Sequence, residues 1–328
     1  MFIATQKTMR VLEGGRGSGN FGHSGRPTLV GGSGSGKFKK VVEYIDARLT
    51  EKEVPAEAVQ IPEERKLELI DKRFRGKQKP DVQVIKFTSG PTGAGKTAIR
   101  TVIGEEDPTT VLVDPDAYKM ELLDVGTPTE LHELSSELAK RTVDRAMEGG
   151  YSILYDTTGG NFDYIDSQIK KVIDNDGLAV VGHVSVSAET SIVRAALRHF
   201  VSGNPRKVPS SSSINSYNKS APTFLALFNK YRGNKKVTFD CWDNDVDLEK
   251  RPRTKGNMSA VHIFSQIEGK LVVHNEKKFK EFTGMKYIET EAENGGLRYE
   301  RIGEQRSTTE KAIARRAKII ERVARQMG

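Results

Sequence analysis

The chain has 328 residues, of which 36% are hydrophobic, with 52 Lys/Arg against 44 Asp/Glu and one cysteine, Cys241. That length can bury one large core or two smaller ones; the lone cysteine excludes intrachain disulfides and Cys-based zinc sites, and no apolar run reaches the roughly 20 residues of a membrane span. The net charge of +8 is uneven, with +6 on residues 1–80, +3 on residues 286–328 and −1 between them, so a near-neutral body carries basic flanks that suit solvated helix faces better than a nucleic-acid surface, because aromatics do not interleave with the charge.

In chain order, the N-terminus MFIATQKTMRVLEGG lacks the long apolar centre of a secretory leader, which fits a cytoplasmic protein. Residues 1–36 form a Gly-rich segment that cannot bury enough apolar area to offset its backbone entropy, and the composition predicts disorder. Gly31 to Phe38, GGSGSGKF, mimics a phosphate-binding loop, but Phe38 lacks the hydroxyl such a loop needs and the surroundings are linker-like. Residues 37–80 read as a helical extension, with helices at Lys37 to Leu49 and Glu63 to Phe74 and a basic linker from Gly76 to Pro80.

From Val82 onward strands alternate with helices. Val82 to Phe87, Thr110 to Val113, Ile153 to Tyr155, Leu178 to Val186 and Val237 to Trp242 read as strands. Helical spacing marks Leu131, Leu134, Leu138, Val143 and Met147, then Phe162, Ile165, Ile169 and Ile173, then Ala188 to Phe200. This pattern predicts an α/β domain over residues 81–285: a mainly parallel sheet flanked by helices, of P-loop kinase-like type. Residues 286–328 form a basic tail, where Ser307-Thr308-Thr309-Glu310 is a capping box opening a helix whose apolar stripe docks on the same chain.

Chemistry concentrates after the first strand. Gly90-Pro91-Thr92-Gly93-Ala94-Gly95-Lys96-Thr97 satisfies G-x-x-x-x-G-K-[ST] between a buried strand and a helix. Backbone N–H groups of such a loop cradle phosphates, Lys96 reaches the β- and γ-phosphates, and the Thr97 hydroxyl holds Mg²⁺. Two further strands end in carboxylates, Asp114-Pro115-Asp116 and Asp156-Thr157-Thr158-Gly159. Ligands bind at the carboxyl ends of such strands, so Asp116 suits the base that accepts the acceptor's proton and Asp156 suits a metal ligand; the competing reading of either is a helix cap. Arg194 and Arg198 share a helix face, and Arg206 follows in VSGNPRKVPSSSS, read as a loop; mobile arginines there would neutralise transferring phosphate.

The order of these motifs resembles the zeta-toxin family of P-loop kinases, over about Val82 to Phe282. GPTGAGKT, VLVDPDAYK, LHELSSELAKR, GYSILYDTTGGN, RAALRHF and the R-x-V-P at Arg206 each match a family segment. The resemblance implies ATP and Mg²⁺, a UDP-N-acetyl amino sugar as acceptor, Asp116 as base, Thr158 at the substrate, and Arg198 and Arg206 as lid arginines. Two positions depart. Gly160 stands where toxin members often carry Arg, and ungapped counting places Lys140 at a substrate-binding Glu, with Glu133 and Glu137 one or two turns earlier; Glu137 is carried as the substrate-side candidate. An antitoxin is the partner the resemblance suggests. The segment GGRGSGNFGHSGRPTLVGGS resembles a Gly-rich stretch of tailed-phage head proteins, which suggests a bacteriophage gene and a phage head component as partner. Rival readings are a polynucleotide 5′-hydroxyl kinase and a phage structural or injected protein that binds nucleotide without turnover.

Overall fold

The computed structural model describes residues 59–104, 107–202, 208, 210–245, 260–291 and 297–301. The Gly-rich segment, the helix at Lys37 to Leu49, the tail helix from Ser307 and Arg206 lie outside the described residues. Among those described, the chain runs α1 (Glu63–Asp71), a 3₁₀ turn (Lys72–Phe74), β1 (Val84–Ser89), α2 (Lys96–Val102), β2 (Thr110–Val113), α3 (Pro115–Glu121), α4 (His132–Glu148), β3 (Ser152–Asp156), α5 (Phe162–Asp174) and β4 (Leu178–Ser185). There follow α6 (Ala188–Ser202), α7 (Ser210–Lys230), β5 (Val237–Asp243), β6 (Val261–Ile267), β7 (Lys270–Val273), α8 (Glu276–Thr283) and a hairpin of β8 (Met285–Glu291) with β9 (Leu297–Arg301).

Seven strands form one sheet in the order β2-β3-β1-β4-β5-β6-β7. β2, β3, β1, β4 and β5 run parallel, whereas β6 and β7 are antiparallel additions. All six residues of β1 are buried, as a central parallel strand covered on both faces requires. The chain leaves β1 toward β3 and β2 on one side and returns to β4 on the other. That reversal leaves a crevice at the carboxyl end of β1, where the phosphate loop begins.

Helix periodicity explains the covering layers. α4 buries Leu134, Leu138, Ala139, Val143 and Ala146; α5 buries Ile165, Ile169 and Val172 and opens on Asn161, whose side chain accepts from Tyr164 N. α1 precedes the region of strand alternation, yet Ile61 and Ile70 join the main core cluster. Ion pairs flank that apolar contact: Arg65 with Asp124 at 2.8 Å, Lys66 with Glu137 at 3.0 Å, and Lys72 and Arg73 with Glu121 at 2.9 and 2.6 Å.

The structure differs from the sequence reading at α7. VSGNPRKVPSSSS reads as a loop, but Ser210 to Ser213 already lie in the helix, with Ser210 and Ser213 buried. Serine is a poor interior helix former, so its run hides the start; packing of Phe224, Leu227 and Phe228 further along fixes the helix instead. Pro222 sits inside it.

Burial and charge make different contributions to the docking of α1. We expect Ile70→Ala to cost about 2–5 kcal/mol and Arg65→Ala less than about 1 kcal/mol, measured by urea denaturation of the full chain.

Candidate functional site

The loop after β1 is shaped by three glycines in the left-handed half of backbone space: Gly90 at φ +142°, Gly93 at +76° and Gly95 at +93°. Each is also sterically enclosed. A Cβ on Gly90 would lie 2.5 Å from Val184 O, one on Gly93 2.7 Å from Ser191 O, and one on Gly95 2.6 Å from Asn244 Nδ2. The loop is thus fitted against the end of β4, against α6 and against the residue after β5. Asn244 is buried and donates to Ala94 O at 2.7 Å, while Arg194 Nη2 donates to Asn244 O at 2.8 Å. Arg194 therefore braces the loop's wall. Ser191 Oγ donates to Thr92 O at 2.6 Å, and Thr92 N donates to Ser216 Oγ on α7 at 3.2 Å.

Lys96 opens α2. Its Nζ donates to Gly90 O at 2.9 Å and Pro91 O at 3.3 Å, which holds the ammonium over the loop. Burial pushes this ammonium below its ordinary value; the charges of Asp156, Asp116 and Asp114 draw it back up, and Arg198 pushes it down again. Those four side chains are therefore close enough to act on one ammonium, although they come from two strand ends and two helices. Asp116, Asp156 and Arg198, all singled out in the sequence together with Lys96, lie among them. Thr97 lies exposed at the mouth.

The two aspartates of DPD part company. Asp114 caps α3: its Oδ1 accepts from Asp116 N at 2.9 Å. Its Oδ2 accepts from Arg100 Nη1 at 2.9 Å, and the same Nη1 donates to Asp156 Oδ2 at 3.1 Å. Asp156 Oδ1 accepts from Thr88 Oγ1 at 2.7 Å. Burial, followed by the charges of Asp156 and Asp116, raises the Asp114 carboxyl above its ordinary value, and Arg100 opposes the rise. Asp116 instead projects from the first turn of α3, where Lys119 Nζ lies 3.4 Å from its Oδ1.

Other candidates are placed as follows. Thr158 is exposed, and its carbonyl accepts from Gly90 N at 3.2 Å, so its backbone closes the loop's base. Gly160 lies under α7, and a Cβ there would be 3.0 Å from Lys219 Cβ. Glu137 binds Lys66 Nζ at 3.0 Å and Arg141 Nη1 at 3.4 Å, an ion-pair role between α1 and α4. Sequence reasoning missed Arg100, Asn244, Lys119 and His132. Arg100 and Lys119 carried a local signal: Arg100 sits four residues after Lys96 and Lys119 three after Asp116, each on the same helix face as the earlier residue.

The donor set suits a nucleotide with a hard cation. The loop offers glycine backbone and an ammonium to phosphates, and Thr97 and Asp156 offer oxygen to a metal. Among the described residues, no group of three or more His, Cys, Asp or Glu forms a metal cage. No described helix is long and apolar enough to cross a membrane.

The Arg100 clasp is testable. Arg100→Met leaves two facing, mostly buried carboxylates, so we expect a loss of about 3–5 kcal/mol at neutral pH. Burial and the neighbouring carboxylates already raise the Asp114 carboxyl above its ordinary value with Arg100 opposing, so without Arg100 the rise is larger and its penalty grows as pH climbs through that titration. The deficit in urea melts should therefore be smaller at pH 4 than at pH 7.

Comparison with known proteins bears on the family and the fold. The zeta toxin family profile matches residues 68–246. Solved structures of similar fold include the AvrRxo1-ORF1:-ORF2 complex, at TM-score 0.57, 18% identity, 94% of this chain and 92% of that one. A second structure of the AvrRxo1-ORF1:-ORF2 pair, described as with ATP, gives TM-score 0.54, 16% identity and coverage of 79% and 80%. A structure from the PezAT chromosomal toxin-antitoxin system of Streptococcus pneumoniae gives 0.52, 12% identity and coverage of 82% and 98%. At these identities the likeness shows the fold alone. No curated protein sequence matches the chain. The family profile spans more than half of the 328 residues, and the chain belongs to the zeta toxin family.

Proposed function

We propose that this member of the zeta toxin family is an ATP-dependent kinase that phosphorylates a hydroxyl of a small acceptor, with a UDP-N-acetyl amino sugar as the acceptor. The convergence of Asp114, Asp116, Asp156 and Arg198 on the Lys96 ammonium carries the reading. Gly90 to Thr97 would hold the phosphates, and Thr97 with Asp156 would hold Mg²⁺, which when bound neutralises charge on the β- and γ-phosphates. Asp116 takes the proton of the acceptor hydroxyl. The acceptor oxygen then bonds to the γ-phosphorus as the bond to the β–γ bridging oxygen breaks, and ADP leaves. Lys96, Arg198 and, from the family resemblance, Arg206 offset the negative charge spread over the γ-oxygens. Thr158 and Glu137 remain the substrate-side candidates from that resemblance.

The sheet separates the roles of the two DPD aspartates in a way that favours Asp116 as base. Asp114 has both oxygens committed, one to the α3 cap and one to Arg100. Asp116 stands at the cleft side, half-exposed. The solved neighbours named for toxin–antitoxin or two-component complexes support an antitoxin as protein partner.

Incubation with γ-labelled ATP and Mg²⁺ against nucleotide sugars, nucleosides and 5′-hydroxyl oligonucleotides tests the reading. Label on a nucleotide sugar is expected; label only on oligonucleotides would instead make the chain a polynucleotide kinase, and ATP binding with no turnover would make it a non-catalytic nucleotide-binding protein. Asp116→Asn should lower kcat by about 10²–10⁴-fold while leaving ATP affinity within a few-fold. Lys96→Ala should abolish turnover and weaken ATP binding; unchanged turnover would remove the loop from the mechanism.

A further inference from the structure

Beyond the loop and its carboxylates, one cation sits between the assigned base and a histidine that the reading does not use. Lys119 lies one turn after Asp116 on α3, so the two side chains share a face. Its Nζ is 3.4 Å from Asp116 Oδ1 and 3.3 Å from His132 Nδ1, at the start of α4. The Lys119 side chain is only 13% exposed, whereas that of Asp116 is 47% exposed. A long cation held in while its short anionic partner faces out is the reverse of an ordinary surface ion pair, in which the lysine extends into water.

We propose that Lys119 is a positioning residue: one largely covered ammonium clasps the Asp116 carboxylate and the neutral, Nε2-protonated tautomer of His132 at the acceptor side of the cleft. The proposal rests on the kinase reading above for its catalytic consequence, and on the contacts themselves for the clasp.

The chemistry of the donors fixes the arrangement. An ammonium has only protons to offer, so a contact to His132 Nδ1 requires that nitrogen to accept and leaves the ring proton on Nε2. The same ammonium favours the ionised form of the carboxylate beside it. That matters because Asp116 stands among like charges: Asp114 at the end of β2 and Asp156 at the end of β3 surround the same ammonium as Asp116 does. Lys119 offsets part of the repulsion that these two fixed neighbours exert on the half-exposed carboxylate. Lys96 from α2 faces the group from the other side. His132 feels Lys119 and Asp116 from α3 and Glu133 from its own helix; burial first, then Lys119, pushes it below its ordinary value, and Asp116 and Glu133 oppose. The clasp thus supplies an ionised acceptor of protons beside an uncharged donor of a hydrogen bond, a pair suited to a polyhydroxyl acceptor whose reacting hydroxyl must lose its proton while a neighbouring oxygen is held.

Two measurements test this on the full chain. In the first, ¹⁵N NMR of histidine side chains, with His132 assigned by His132→Gln, follows tautomer and titration without nucleotide. His132 should be Nε2-protonated and titrate below 6.5. Lys119→Met should move that titration up, and Asp116→Asn should move it down. An unchanged tautomer and titration in Lys119→Met would overturn the clasp. In the second, the acid limb of kcat/KM against pH should move upward by about half to one unit in Lys119→Met, because the carboxylate has lost its opposite charge. Lys119→Arg should restore it, and equal melting temperatures would exclude misfolding. A uniform loss at all pH values, with no displaced limb, would overturn the positioning role. Should the NMR behave as expected while no acceptor is phosphorylated, the clasp stands and the kinase reading falls, so the two failures are distinguishable.

Discussion

The site depends on one guanidinium. Arg100 reaches from the first helix after the phosphate loop to the ends of two strands, and a single nitrogen bridges Asp114 and Asp156. Two carboxylates brought this close, with side chains under a fifth exposed, repel strongly unless a cation stands between them. In a region of reduced dielectric, a separation of a few ångströms between unit charges is worth several kcal/mol. Satisfied in this way, the triad ties α2, β2 and β3 into one corner. Lys96 lies one turn earlier on the same helix, so the residue that would meet phosphate and the residue that anchors the strand ends move as one body.

The loop itself is over-determined from the other side. Three positive-φ glycines let the backbone fold back on itself, and each is pressed against a different element, so the curve is set by neighbours as much as by propensity. Thr92, in the middle of the loop, takes hydrogen bonds from α6 and gives one to α7. These are the two helices on either side of the R-x-V-P segment. A shift of α6 or α7 would therefore be felt directly in the loop.

How much of this was legible in the sequence follows from the range of the interactions. The phosphate loop was readable because its glycines, lysine and threonine do their work within eight residues. The parallel sheet was readable because buried strands and amphipathic helices each carry their own period. That Asp114 rather than Asp116 caps α3 and meets Arg100 was not, since spacing alone allows either aspartate that role and only the contacts to Asp116 N and Arg100 decide it. Asn244 and His132 gave no signal, because each acts on a partner 13 or more residues away; Lys119 stands one turn after Asp116, but its contact with His132 is not local. Glu137, chosen by counting back from a strand, meets Lys66 on a helix that precedes the alternating pattern altogether. α7 was hidden by a serine run whose burial depends on partners far along the chain.

The charge pattern of the cleft accounts for what it would attract. Three carboxylates act on the Lys96 ammonium, and each has a cation beside it: Asp114 and Asp156 share Arg100, and the half-exposed Asp116 lies against Lys119. Lys96 is then pulled by all three carboxylates and pushed by Arg198, while its own contacts are to carbonyls of the loop. An ammonium whose charge is disfavoured by burial gains most from an incoming anion, since the anion supplies the compensation that carbonyl dipoles give only in part. A polyphosphate entering the loop would thus be drawn to Lys96 and Arg198, while Arg100 and Lys119 offset part of the charge of the three carboxylates and so reduce their repulsion of it. The same pairing that keeps the acidic residues folded side by side is what lets a cleft with three aspartates accept a polyanion.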